Sequence, residues 1–286
     1  MLWFLLALGG ALSNAIFNFT IKKIMKDVDP FILLTWTYLF GGCVLSLFVF
    51  SQGVPEIGPS FIPTLCIIII MGIVSLSLYF FSIKITDISL CIPMLSFTPV
   101  FLILTSSIIL NETPSIIGII GICCIVIGAY LISYSRYNGV LYPFRAMTNH
   151  KGVAFMLIVA LLFAVGVNFD KILVMQSDPI FSAAITFLAF GISFLLISVI
   201  KFRSINLIKR QNVIPFLFTG IILAVEALTI NYAYTLAIVP YVISVKRISI
   251  LFTVLMGGIL LNEQDLKRRL LASSVMVLGA VIIAFS

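Results

Sequence analysis

The sequence predicts an all-α membrane protein: ten transmembrane helices, built from two inverted five-helix repeats around a central cavity. Three observations predict it. First, 62% of the 286 residues are hydrophobic and only 9% are charged. A soluble domain is about a quarter charged, so most of this chain must face lipid. Second, the apolar residues fall in ten runs, each near the roughly 20 residues a helix needs to cross a bilayer. Barrel strands are only about 10 residues long and alternate polar with apolar, which these runs do not. Third, the second half of the chain repeats the first.

The first run, 2–22, lacks a basic segment before it and a small-residue cleavage signal after it, so it is expected to stay as a helix. Asn14, Asn18 and Lys22 recur on it at i, i+4, i+8 and form one stripe. Asp29-Pro30 precedes the second run, 31–50, and the stretch Gly53–Pro63, with three prolines, precedes the third, 62–83. Ser75, Tyr79 and Ser82 make a stripe on the third run. They could line a cavity or hydrogen-bond between helices, as small polar residues commonly do in membrane bundles. Lys84 and Asp87 mark the turn after it. The fourth run, 89–110, ends at Asn111-Glu112, and Thr113-Pro114 separates it from the fifth, 115–134.

The connection 135–151 lies at the midpoint and divides the chain into repeats 1–134 and 152–286. In the sixth run, 152–172, Asp170 and Lys171 come last and are expected at the membrane interface. Asp178-Pro179 opens the seventh, 180–200, and the basic loop Lys201–Arg210 follows it. The eighth, 213–236, holds Glu226 near its middle. The ninth, 239–260, holds Lys246 and Arg247. The tenth is 268–285.

The repeat is read by shifting the first half onto the second by 151 residues. Leu110-Asn111-Glu112 then meets Leu261-Asn262-Glu263, Gly128-Ala129 meets Gly279-Ala280, and Phe101 meets Phe252. With small adjustments Asn18-Phe19 meets Asn168-Phe169, and Asp29-Pro30 meets Asp178-Pro179. Five is an odd number of spans, so the second copy inserts upside down. Inverted repeats place a binding site at midplane between the halves.

The membrane-embedded charges are the candidate site. A Lys or Arg at a helix centre costs about 2.5–3.5 kcal/mol, so Lys246 and Arg247 need a compensating environment. Lys246 lies about 10 Å below the start of its helix, Arg247 about 14 Å, and Glu226 about 17 Å on the neighbouring antiparallel helix. Two readings follow. Glu226 pairs with Arg247 while Lys246 snorkels to the interface, or the cations face a ligand. The repeat partners of the pair, Leu95 and Ser96, are uncharged, so only one copy of the cavity wall carries the two cations. Lys is a point charge and Arg a planar fork, both suited to carboxylate or phosphate.

The duplicated five-helix unit, the string from Ser96 to Phe101 followed by Leu110–Glu112, and the matching Leu261–Glu263 resemble the drug/metabolite transporter superfamily in its ten-helix EamA-type branch. The resemblance implies a ten-helix basket that moves small metabolites by alternating access. The string Ser244–Arg247 also resembles the ninth-helix motif of the sugar-phosphate translocators. That likeness implies a phosphate clasp at Lys246 and Arg247.

The expected function is therefore a secondary transporter of a small polar metabolite, anionic or zwitterionic, with phosphorylated metabolites among the candidates. Lys246, Arg247, Glu226, Asn14, Asn18, Tyr79 and Ser96 are its candidate binding residues. Glu226 would balance the cations or carry a proton; a counter-anion would serve as well. The alternative is a flippase for a phosphate-linked lipid carrier. An enzyme is not expected: HExxH and GxSxG are absent, and the one histidine, His150, lies in a loop. No nucleotide-binding loop, metal or cofactor is expected. Cys43, Cys66, Cys91, Cys123 and Cys124 read as small apolar fillers.

Basic residues concentrate after odd-numbered runs, among them Lys23, Arg136, Arg203 and Arg268. The positive-inside rule places these loops in the cytoplasm and both termini outside, in a multi-pass protein of the cell membrane. This topology accounts for the net charge of +7 without nucleic acid. Glycine-bearing faces at Gly118, Gly121 and Gly257-Gly258 allow close helix packing within one chain or in a weak homodimer.

Overall fold

The computed structural model describes residues 1–24, 28–86, 91–133, 150–203, 210–253, 256 and 266–286. Among these residues it is a helical bundle. The helices are α1 (Leu2–Ile24), α2 (Pro30–Gln52), α3 (Phe61–Ile85), α4 (Thr98–Leu110), α5 (Ile116–Ser133), α6 (Lys151–Met175), α7 (Pro179–Phe202), α8 (Val213–Tyr234), α9 (Val239–Lys246) and α10 (Leu266–Ala284). Each begins within the run read from sequence or just before it. Six of them, α1–α3 and α6–α8, are long and apolar enough to cross a membrane, and the apolar stretches of α4, α5 and α10 are shorter. Large apolar side chains such as Ile108, Ile116, Ile200 and Ile214 point outward. That is the surface a lipid solvent requires.

The fourth and ninth helices are both interrupted at the same repeat position. A 3₁₀ segment, Ile92–Phe97, leads into α4. Pro99 explains it: proline has no N–H to give the carbonyl of Leu95, and the Thr98 hydroxyl donates there instead at 2.8 Å. In the second half α9 stops at Lys246, and helix resumes over 249–253. At this break the Ile248 N–H bonds the carbonyl of Val245, three residues back. Shifted by 151 residues, the two irregular turns superpose in sequence.

Helix packing repeats the same symmetry. α2 lies along α7 and α5 along α10, each pair exchanging its own members under the half-chain swap. α3 packs on α6 as α8 packs on α1. Close approach depends on glycine, because lipid tails leave little hydrophobic drive between helices. A Cβ on Gly121 would stand 2.8 Å from the carbonyl oxygen of Gly279, and one on Gly41 would stand 2.8 Å from that of Gly220. Gly121 thus serves packing inside the chain, α5 on α10. Gly257-Gly258 and Asn262-Glu263 lie outside the described residues.

Loops after even-numbered helices meet at one end of the bundle. The Gly58 N–H bonds the Gln176 carbonyl, and the Tyr241 hydroxyl accepts from the Ser115 N–H. At the opposite end Lys201 bonds Asp29 at 2.7 Å. Asp29 and Asp178 cap α2 and α7, each with proline in the first turn. The Asp178 carboxylate accepts from the Ile180 and Phe181 N–H groups at 2.7 and 3.0 Å. Asp178→Ala is expected to destabilise the protein by about 1 kcal/mol, read as a lowered unfolding midpoint in detergent.

Candidate functional site

The residues that meet inside the bundle come from α1, α2, α6, α7, α8 and α9. Glu226, on α8, is 4% exposed. A carboxylate so buried requires direct partners for its charge. Lys246 Nζ lies 2.6 Å from Glu226 Oε1. Asn14 Nδ2 donates to both carboxylate oxygens, at 3.0 and 3.1 Å, and Asn18 Nδ2 donates to Asn14 Oδ1 at 2.9 Å. Two of the three stripe residues of α1 thus form a hydrogen-bonded track leading away from Glu226. The third, Lys22, has its side chain outside the described residues.

The pairing differs from the expectation in which Glu226 takes Arg247 and Lys246 snorkels. Lys246 turns inward to Glu226. Arg247 has no ion pair among the described residues, and its Nε is buried without a partner. Lys246 lines the cavity described next, and Arg247 is not among its lining residues.

Lys246 and Glu226 line a cavity of about 210 Å³ between α2, α6, α7, α8 and α9. Its other polar side chains are Asp170, Tyr38, Tyr234, Asn231, Ser182 and Thr186. Asp170 was expected at the interface. The helix runs to Met175, three residues past the predicted end, and this carries Asp170 inward to the cavity wall. The apolar Ile172–Met175 segment was the available signal. Lys171, next to it, turns to Glu112 and to the carbonyl of Ala237. Glu112 also accepts from the Val239 N–H at 2.8 Å, so one carboxylate ties α4 to α6 and to the α8–α9 turn. It is a bridge between halves and not merely a helix boundary.

Tyr79 and Ser96 do not join the cavity. Tyr79 packs beside Cys91, Met94 and Met156 and makes an edge-on ring contact with Phe80. Ser96 is buried in the 3₁₀ segment, its hydroxyl without a partner among the described residues. The serines of the α3 stripe bond their own helix: Ser75 to the Gly72 carbonyl and Ser82 to that of Leu78. Their hydrogen bonds are thus within α3 and not between helices. Tyr38, Tyr234 and Asn231 carried no sequence signal. Tyr and Asn are common in such helices, and only packing selects the ones that meet.

The EamA-like transporter family matches residues 1–134 and again residues 150–285. One solved chain, described as a crystal structure of protein, aligns over 98% of this chain and 96% of its own, at 16% identity and a TM-score of 0.79. That likeness concerns the fold alone. No curated protein matches this chain. The two family matches together cover nearly all of the sequence, and the family is one of membrane transporters of the drug/metabolite type and not of enzymes. The bundle, with six helices suited to crossing a bilayer, is that of an integral multi-pass membrane protein, and the chain belongs to the EamA-like transporter family.

Proposed function

We propose that this protein moves a small polar metabolite bearing an acid group, anionic or zwitterionic, across the membrane by alternating access between two inverted repeats, 1–134 and 152–286. One observation carries the reading: the pair of half-buried Lys246 and buried Glu226 lines a cavity instead of sitting in a dry helix contact. A cation held only by a displaceable carboxylate can exchange that partner for the acid group of a ligand. Glu226, released, keeps Asn14 as a donor and can take up a proton or wait for the next exchange. The matched breaks in the fourth and ninth helices supply hinge-like positions in both halves, and the Glu112–Lys171 contact holds the even-loop end together across the repeats. Interrupted helices at midplane are a recurrent device of such transporters.

The test is uptake by purified protein in liposomes, using carboxylated and phosphorylated metabolites with and without a pH gradient. Lys246→Gln is expected to abolish uptake of the transported solute. Arg247→Gln, off the cavity wall, is expected to reduce it only severalfold. Undiminished uptake by Lys246→Gln would remove the acid-binding role of this residue.

A further inference from the structure

Glu112 joins three helices that belong to different halves of the chain. Asn111 ends α4 in the left-handed region, with a φ of 55°, and the Glu112 N–H returns to the Ser106 carbonyl at 3.2 Å. The backbone of Glu112 is thus fixed to α4, in the first half. Its carboxylate reaches into the second half, to Lys171 on α6 and to the Val239 N–H at 2.8 Å. Within its own half it accepts from the Ser106 hydroxyl, at 3.2 Å.

Val239 is the first residue of α9, and that helix has no cap of its own. Its N-cap residue, Ile238, offers no side-chain acceptor, and Pro240 has no N–H. The free donors at a helix start need acceptors, and here one is a carboxylate from the other half. Charge favours the arrangement. A carboxylate is disfavoured at the C-terminus of its own helix, α4, and favoured at the N-terminus of α9. Lys171 adds a cation and donates to the Ala237 carbonyl at 2.9 Å, in the α8–α9 turn. α2 and α7, by contrast, are capped by aspartates next to them in sequence. A helix of this bundle can therefore start without help from the opposite half, and α9 does not. The contact is also suited to being undone. The Lys171 and Glu112 side chains are 13% and 15% exposed, at the end of the bundle where the even-numbered loops meet. Opening that end returns both ions to water, which recovers their solvation and offsets the lost attraction. Parting an apolar seam would bring no such offset.

We propose that Glu112 is a detachable cap. Bound to Val239 and Lys171, it holds the even-loop end of the bundle shut. Released, it frees the α8–α9 turn and with it α9, whose last residue is Lys246. One helix of eight residues thereby couples the end of the bundle to the cation in the cavity wall. The inference rests on the alternating-access part of the reading above and not on the acid-binding role of Lys246.

Side-specific labelling of the full-length chain in membranes tests this. Ser182 lines the cavity and is 1% exposed, so Ser182→Cys is a reporter that a small charged methanethiosulfonate reaches through an opening. The parent chain, with its own cysteines, is the blank, and Glu56→Cys, in the exposed α2–α3 loop, marks the even-loop side. Glu112→Ala and Lys171→Met should each raise the labelling rate of the reporter from that side at least about fivefold, the effect of losing one charge-assisted contact. Neither should raise it from the other side. Glu112→Gln keeps an acceptor for the Val239 N–H and loses the charge that holds Lys171. It should keep the parent's unfolding midpoint in detergent and give a smaller rise in the same direction. Parent labelling rates in Glu112→Gln and Lys171→Met, whatever their midpoints, would overturn the proposal and make the contact a fixed staple. A rise that is equal from both sides would overturn it as a general loosening of the bundle. No solute enters this experiment, so its failure leaves the acid-binding reading standing. Undiminished uptake by Lys246→Gln would in turn leave the cap standing.

Discussion

Replacing Glu226 with leucine is expected to lower the stability of the folded protein by about 3 kcal/mol, because it strands Lys246 in the membrane interior. Breaking one side of a buried ion pair typically costs in this range, and a lone lysine at a helix centre costs a similar amount on insertion scales. The Lys246 side chain is 29% exposed to the cavity, so water there recovers a part of its solvation and holds the figure at the low end. Asn14 also loses its acceptor. The double variant Glu226→Leu/Lys246→Met removes both charges and should regain most of the stability, since an apolar pair of similar volume can replace a buried ion pair. Uptake should stay abolished. Unfolding midpoints in detergent, read beside liposome uptake, separate the two effects. A single variant as stable as the parent would show that Lys246 does not depend on Glu226.

Gly41→Leu is expected to be about equally damaging, for a reason unrelated to charge. Gly41 and Gly220 face each other where α2 crosses α8. A Cβ on Gly41 would stand 2.8 Å from both the Gly220 carbonyl oxygen and the Phe187 ring. The backbone oxygen cannot rotate aside as a side chain would, so the helices must separate. Overpacking of this kind costs about 3 kcal/mol at the upper end of the usual range. Separation would also break the Thr37–Thr219 hydrogen bond, 3.0 Å long and buried. It would move Tyr38 in the cavity wall, so uptake should fall along with stability. Gly166→Leu is the control: a Cβ there meets nothing within 4 Å, and the midpoint should be unchanged or raised. Equal midpoints for Gly41→Leu and the parent would mean that α2 and α8 do not cross closely.

The buried charges show how far reading the chain reaches. Lys246, Arg247 and Glu226 stand out because each is costly in lipid, and cost is visible in composition. Which cation meets Glu226 was not visible. Depth along straight helices favoured Arg247, whereas the break at the end of α9 sets the direction of each side chain and hands the acid to Lys246. Asp170 lies in the cavity wall and not at the expected interface because one turn of helix decides between the two, and helix ends are poorly marked by hydropathy alone. Tyr79 belongs to the polar stripe of the third run and Ser96 is a repeat partner of the cation pair, but Tyr79 packs among apolar neighbours and Ser96 is buried in the 3₁₀ segment.

What the sequence by itself determined is the solvent of this protein, the helical character of its spans and their doubling. Those follow from run length, hydropathy and repeat spacing, which are properties of a chain in one dimension. Only the tertiary structure decided the partners: Glu226 with Lys246 and Asn14, Glu112 with Lys171, and Asp170 in a cavity wall with Tyr38 and Tyr234 and no ion pair among the described residues. The physical reason is that a polar group in a bundle is satisfied from other helices. Which atoms those are depends on crossing distances set by glycines and on rotations set by two interrupted helices.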